Sequence, residues 1–210
     1  MIEGAIFLRG GRLSHVFRIA VVDTETTGLY PSRDRLVEIA LMLLEVDGAT
    51  GHLLRVLDAF EELEDPGMPI PAIATGIHGI TDAMVKGRRV DRARVAALLA
   101  QADLVVAHNS GFDKGFVRQL VPEVDALCWG CSCRGIPWRR LYDTVENTRL
   151  QHLAIRLQVA AGTAHRAMGD VETTVNLVLQ ADPSGNAHLL HLIRRKLVPP
   201  VKKLGAAFRI

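Results

Sequence analysis

The sequence predicts an α/β domain built on a mixed sheet with helices packed around it. Two observations carry this prediction. Three strand-like apolar runs come first, at residues 17–23, 35–46 and 53–60, and from residue 90 onward helical spacing alternates with a short strand. Strands followed by alternating helix and strand belong to a layered α/β architecture. Length supplies a third: 210 residues make one domain with room for a large core and no need of disulfide or metal staples.

The elements follow in order. Residues 17–23 (FRIAVVD) are short, apolar and β-branched, which predicts a buried strand. Residues 35–46 form a nearly continuous apolar run stopped by Asp47 and Gly48, and residues 53–60 follow after a short connection, so an antiparallel meander is expected. Residues 61–87 contain Pro66, Pro69 and Pro71 and are expected to be mostly a long loop, of the kind that usually carries function. A helix is predicted over 90–101, a short buried strand over 104–107, and a second helix in which Phe112, Phe116 and Leu120 share a face. Leu150, Leu153, Ala154 and Leu157 make another helical stripe, as do Ala167, Val171, Val175 and Leu179. The turn cluster at 182–186 (DPSGN) marks an edge, and one more helix is expected from Leu189 to the Pro199–Pro200 pair. The chain thus divides into an N-terminal extension (1–17), a main domain (18–182) and a basic C-terminal helix or tail (183–210).

Composition narrows the function classes. The chain is 49% hydrophobic and 23% charged, ordinary for a globular protein, and no apolar run approaches the ~18 residues of a membrane span. The opening MIEGAIFLRGGR carries Glu3 and lacks the pattern of a signal peptide. Three cysteines form no closed disulfide framework, which points to a reducing, cytoplasmic setting. Net charge is only +2, but residues 184–210 hold no acid against Arg194, Arg195, Lys196, Lys202, Lys203 and Arg209, a local positive field. Aromatics are 5% of the chain, too few for a broad base-stacking platform.

Three clusters carry chemistry. In VVDTETTG, Asp23 and Glu25 stand at i and i+2 at the end of a strand, so their carboxylates leave the same face. Adjacent acids repel unless a cation lies between them, and hard divalent ions take such carboxylates together with phosphate oxygens; two solvated acids in a turn is the plain alternative. In HNSGFD, Ser110 and Asp113 have capping-box spacing at a strand-to-helix junction, while a functional Asp113 would point toward the other acids. In HRAMGD, His165 precedes Asp170 by five residues, about 140° around a helix. We therefore expect His165 in a loop or first turn and Asp170 on the helix, both facing one cavity, with histidine suited to proton transfer near neutral pH.

Together, Asp-x-Glu after a first strand, Asp at a strand–helix junction and His-x₄-Asp opening a late helix closely resemble the DEDDh, or DnaQ-like, exonuclease family, which includes the proofreading epsilon subunit of bacterial DNA polymerase III. The likeness runs from about residue 18 to 180 and includes DTETTG, the IHGIT segment at 77–81, HNSGFD and HRAMGD. It implies a ribonuclease H-like fold, with three antiparallel strands and further strands alongside, and makes 18–182 the exonuclease domain. It also implies metal-dependent hydrolysis of terminal phosphodiesters from a 3′ end, releasing nucleoside 5′-monophosphates. By position, Asp23, Glu25 and Asp170 match direct ligands of two divalent cations, Mg²⁺ or Mn²⁺, and Asp113 matches a fourth acid that holds the second ion through water. His165 matches the general base. His78, in IHGIT, matches a substrate-contacting histidine, and Thr24, between two of the acids, is placed for its backbone to meet the terminal sugar. Two such ions about 4 Å apart activate water and stabilise the leaving oxygen.

The resemblance favours single-stranded DNA in proofreading or repair, with a DNA polymerase or another replication or repair protein as a partner and no membrane. The same chemistry on RNA ends, and a non-catalytic nucleic-acid-binding scaffold, are the alternatives; all four acids and the histidine are present, which disfavours the latter. Cys128, Cys131 and Cys133 depart from the commonest proofreading pattern. They offer three ligands of a zinc site with no obvious fourth, so reduced thiols beside a strand are expected. The C-terminal basic residues either contact phosphates or ride on a helix that docks through Leu189, Leu190, Leu192, Ile193 and Leu197; docking is favoured.

Overall fold

The computed structural model describes residues 5–6 and 14–197. In chain order the strands are β1 (Ala5–Ile6), β2 (Ser14–Thr26), β3 (Leu36–Asp47), β4 (Leu53–Leu63), β5 (Leu104–Ala107) and β6 (Trp129–Cys131). The helices are α1 (Ala72–His78), α2 (Asp82–Val85), α3 (Arg92–Leu99), α4 (Ser110–Leu120), α5 (Ser132–Gly135), α6 (Trp138–Leu141), α7 (Leu150–Arg156), α8 (Ala167–Leu179) and α9 (Leu189–Lys196).

The sheet order is β4-β3-β2-β5-β6, with β1 paired to the start of β2. β2, β3 and β4 form the antiparallel meander, in register from Val16↔Asp47 to Glu25↔Glu38 in the first pair, with an irregularity before Thr26↔Leu36. On its other edge β2 runs parallel to β5, and β5 to β6. β2 is therefore central and covered on both faces, which is why residues 19–22 are apolar without alternation. The pleat sorts them: Ile19 and Val21 join a layer with Val171, Val175 and Val178 of α8, whereas Ala20 and Val22 join one with Val95 of α3 and Phe116 and Val117 of α4.

α9 docks. Leu189, Leu190, Leu192 and Ile193 are buried in the same layer as Ile19, Val21 and α8, while Arg194, Arg195 and Lys196 are exposed in its last turn. Lys202, Lys203 and Arg209 lie outside the described residues, as does most of the 1–17 segment. Among the described residues no helix is long and apolar enough to cross a membrane.

Two local expectations are corrected. The 61–87 stretch is no long loop: β4 runs to Leu63, and α1 and α2 follow. Pro71 stands at the N-cap of α1, where a missing N–H costs nothing. Nor does Ser110 cap α4: it is already the first helical residue, Asn109 holds the cap position and no side chain caps it.

Candidate functional site

The site lies where β2 ends and α8 begins. Asp23 and Glu25 continue the Ile19/Val21 face of β2 toward α8, and Asp170 projects from the first turn of that helix. One carboxylate oxygen from each of Asp23, Glu25 and Asp170 lies within 4.8 Å of the others. Thr24, one residue out of phase, points to the opposite face, and there its hydroxyl donates to Asp113 Oδ1 at 3.0 Å. The fourth acid is thus held beside the cluster on the α4 side of the sheet, outside the tight triad.

Electrostatics mark these acids as unsatisfied. Burial, then the charges of Asp113, Asp170, Glu25 and Glu38, hold the Asp23 carboxyl well above the usual carboxylate range. Burial and Asp170 push Glu25 up to about 8. Burial raises Asp113 to about 7 against the hydrogen bond from Thr24, and Asp170 is raised by burial against contacts from His165 and Gln151. None of the ion pairs among the described residues includes Asp23, Glu25 or Asp170. Three crowded, mutually repelling hard-oxygen donors, two of them partly open to solvent and without a protein cation, fit a divalent ion such as Mg²⁺ or Mn²⁺.

His165 sits in the turn before α8 with its backbone in the left-handed region, φ 58°. Its ring is exposed to solvent, and its backbone N–H donates to Asp170 Oδ2 at 3.2 Å. The loop before it lies flat against α8 because Gly169 has no side chain: a Cβ there would collide with the Thr163 backbone. His78 is the last residue of α1 rather than a loop residue, and it is only 4% exposed. Its Nδ1 accepts the Ile80 N–H at 3.0 Å, which leaves the proton on Nε2; that atom is buried and without a partner. Glu38, Arg166 and His165 all influence its charge, so it borders the same site.

Two residues of the site are not singled out by the sequence reading. Gln151 on α7 donates to Asp170 Oδ1 at 2.9 Å, so both oxygens of that carboxylate are oriented. Glu38 on β3, opposite Glu25 in the sheet register, reaches Arg166 and the Ala167 N–H. A charged residue inside the apolar run LVEIAL is the signal that flags it, since a buried charge requires a partner. The cysteines take no part. All three are free thiols, Cys131 closes β6, and the metal-competent side-chain cluster found among the described residues contains none of them.

Residues 20–178 match the RNase_T exonuclease family. The chain belongs to this family. Among curated relatives, a DNA polymerase III subunit epsilon-like protein of Rhodobacter capsulatus is 41% identical over 90% of this chain and 27% of its own length. The PolC-type DNA polymerase III of Bacillus subtilis is 32% identical over 76% of this chain and 11% of its own. The chain therefore spans well under a third of these two relatives. Among solved structures, exonuclease X in complex with 5′-overhanging duplex DNA superposes with a TM-score of 0.56 at 25% identity, covering 84% of this chain and 92% of that one. The Escherichia coli exonuclease I–ssDNA complex, in its zinc-bound form, matches in fold at 19% identity and a TM-score of 0.61, over 85% of this chain and 41% of the other. The ribonuclease H-like, DnaQ-type exonuclease fold implied by the motifs is the fold of this RNase_T chain.

Proposed function

We propose that this exonuclease-family chain is a metal-dependent 3′→5′ exonuclease that trims single-stranded DNA to nucleoside 5′-monophosphates in proofreading or repair. The convergence of Asp23, Glu25 and Asp170 within 4.8 Å, with no protein cation among them, carries the reading. Asp23, Glu25 and Asp170 would hold divalent cations, with Asp113 as the fourth acid beside them; bound there, the ions would supply Lewis-acid activation and offset the charge of phosphate. His165 takes one proton of the attacking water as the water oxygen bonds to phosphorus, and the penultimate nucleotide's 3′ oxygen leaves and takes a proton from solvent to become a hydroxyl. Exposure of its ring suits that role, because a base serving successive water molecules needs a route to solvent. Thr24 meets the terminal sugar through its backbone, and the unpartnered Nε2–H of His78 is a donor for substrate. The polymerase names of the relatives support a DNA polymerase or another replication or repair protein as partner, and three free thiols suit the cytoplasm.

The test is a time course on 5′-labelled single-stranded DNA and RNA of one sequence, with Mg²⁺ or Mn²⁺ and an Asp23→Asn control. A ladder shortening from the 3′ end, faster on DNA and absent in EDTA and in the variant, is expected. A faster ladder on RNA would reassign the substrate, and no ladder on either strand would refute the enzymatic reading.

A further inference from the structure

We propose that Glu38 is a positioning residue of the hydrolytic site, acting through Arg166 and the first amide of α8 to set the turn that carries His165 and Asp170. The inference rests on the exonuclease reading above and extends it to a residue on β3 that touches the helix it controls.

Glu38 is wholly buried, and its carboxylate is fully occupied. Arg166 Nε donates to Oε2 at 3.1 Å and Nη2 to Oε1 at 2.5 Å, a two-point grip, while the Ala167 N–H donates to Oε2 at 2.9 Å. α8 has no side-chain cap of its own, so an acid from β3 does the work of an N-cap and complements the positive end of the helix. The consequences run directly to the site. Arg166 O accepts the Asp170 N–H, and the His165 N–H donates to the Asp170 carboxylate. Glu38, Arg166, Ala167, His165 and Asp170 thereby form a closed set of contacts around one turn.

That turn needs an external hold. His165 occupies the left-handed region, φ 58°, a conformation that an L-residue keeps only where its surroundings impose it. The imposed contacts fall on the two residues that follow, Arg166 and Ala167, both gripped by Glu38. Register supplies the rest: Glu38 faces Glu25 across β2 and β3, so one rigid sheet carries both an acid of the cluster and the anchor of the helix bearing another. A buried ion pair is a poor stabiliser compared with apolar residues of the same volume, which makes stabilisation alone a weak account of this one. Geometry is the stronger account, because a bidentate guanidinium–carboxylate pair fixes angles as well as distance.

The experiment uses the full chain with Glu38→Gln, Arg166→Lys and the double variant Glu38→Gln/Arg166→Gln. Mn²⁺ binding to the protein without DNA is followed by electron paramagnetic resonance; kcat and KM on single-stranded DNA and thermal unfolding are measured alongside. Loss of an outer contact that orients a ligand typically costs about 10–100-fold in metal affinity or activity. Glu38→Gln is therefore expected to weaken Mn²⁺ binding and lower kcat within that range, with KM within about threefold and the far-UV spectrum unchanged. The double variant is expected to be no worse than Glu38→Gln, since the two residues act as a unit. Arg166→Lys keeps Glu38 paired and the Ala167 amide capped, and it shows the same loss in smaller degree should Glu38→Gln fail to fold. A folded Glu38→Gln with wild-type Mn²⁺ affinity and kcat overturns the positioning role while leaving the exonuclease intact. A wild-type protein that neither binds Mn²⁺ nor shortens DNA overturns the exonuclease reading, and this inference with it.

Discussion

Replacing Asp23 by Asn is expected to remove activity and, in the absence of metal, to make the protein more stable at alkaline pH. Asp23, Glu25, Asp113 and Asp170 all carry carboxyls raised above their ordinary values. An acid raised in the folded state holds a proton that the unfolded chain releases. Folding is then favoured below the unfolded value near 4 and loses ground as pH climbs to the folded value. For Glu25 that window runs from 4.5 to about 8, a ceiling of about 5 kcal/mol at about 1.4 kcal/mol per pKa unit. Glu25 and Asp23 are partly open to water, and screening brings the gain from deleting one charge to about 2 kcal/mol. In a domain of this size that is a rise of about 4–8 °C in Tm. The assay is thermal unfolding in EDTA at about pH 5 and about pH 8.5, followed by addition of Mg²⁺. At the lower pH, where Glu25 and Asp113 are largely protonated, fewer charges oppose one another and the gap between the two curves should narrow. Mg²⁺ should then raise the wild type by mass action and leave the variant almost unmoved. Equal stability of the two proteins at the higher pH, or the same offset at both, would refute the claim that these carboxylates repel one another without a cation.

The remaining expectations concern the base and the C-terminal helix. His165→Ala should lower kcat by about 10²–10⁴-fold with KM within a few-fold in steady-state kinetics on single-stranded DNA, and a pure binding defect would argue against proton transfer. Leu192→Ala empties a fully buried position where α9 meets the sheet and should cost about 3 kcal/mol, read as a Tm loss of about 6–12 °C. Truncation after Asp182, which uncovers the same layer, should abolish soluble expression, and a soluble, active truncate would show that α9 is dispensable.

What the sequence displays and what it hides divide along physical lines. The strands are legible because a central strand buried on both faces must be continuously apolar, and Asp23 and Glu25 stand out because acids at the end of such a strand need a reason. α1 is hidden because it is only seven residues long and follows Pro66, Pro69 and Pro71, which read as loop; its helically spaced Ile73 and Ile77 face solvent while Ala74 and His78 face inward. Ser110 misleads because the helix begins one residue earlier than the capping-box spacing implies: Ser110 is already helical, and Asp113 takes a hydrogen bond from Thr24 on β2. Gln151 could not be found from sequence. It differs from any exposed helical glutamine only in what α8 brings to it.

The division of the four acids is itself a result of the pleat. In β2 the side chains alternate, so Asp23 and Glu25 fall on the α8 face and Thr24 on the α4 face. Asp170, at the start of α8, completes the first group; Asp113, on α4, meets Thr24. A motif read as one line, DTE, therefore serves two layers, and Thr24 is a structural link to the fourth acid. The same alternation places Glu38 on the face of Glu25. A slip of one residue between β2 and β3 would turn Glu38 to the α4 layer, away from Arg166, and leave its charge buried without a partner. The register that keeps Glu38 paired therefore also fixes the start of α8, which carries Asp170, against the strand that carries Asp23 and Glu25.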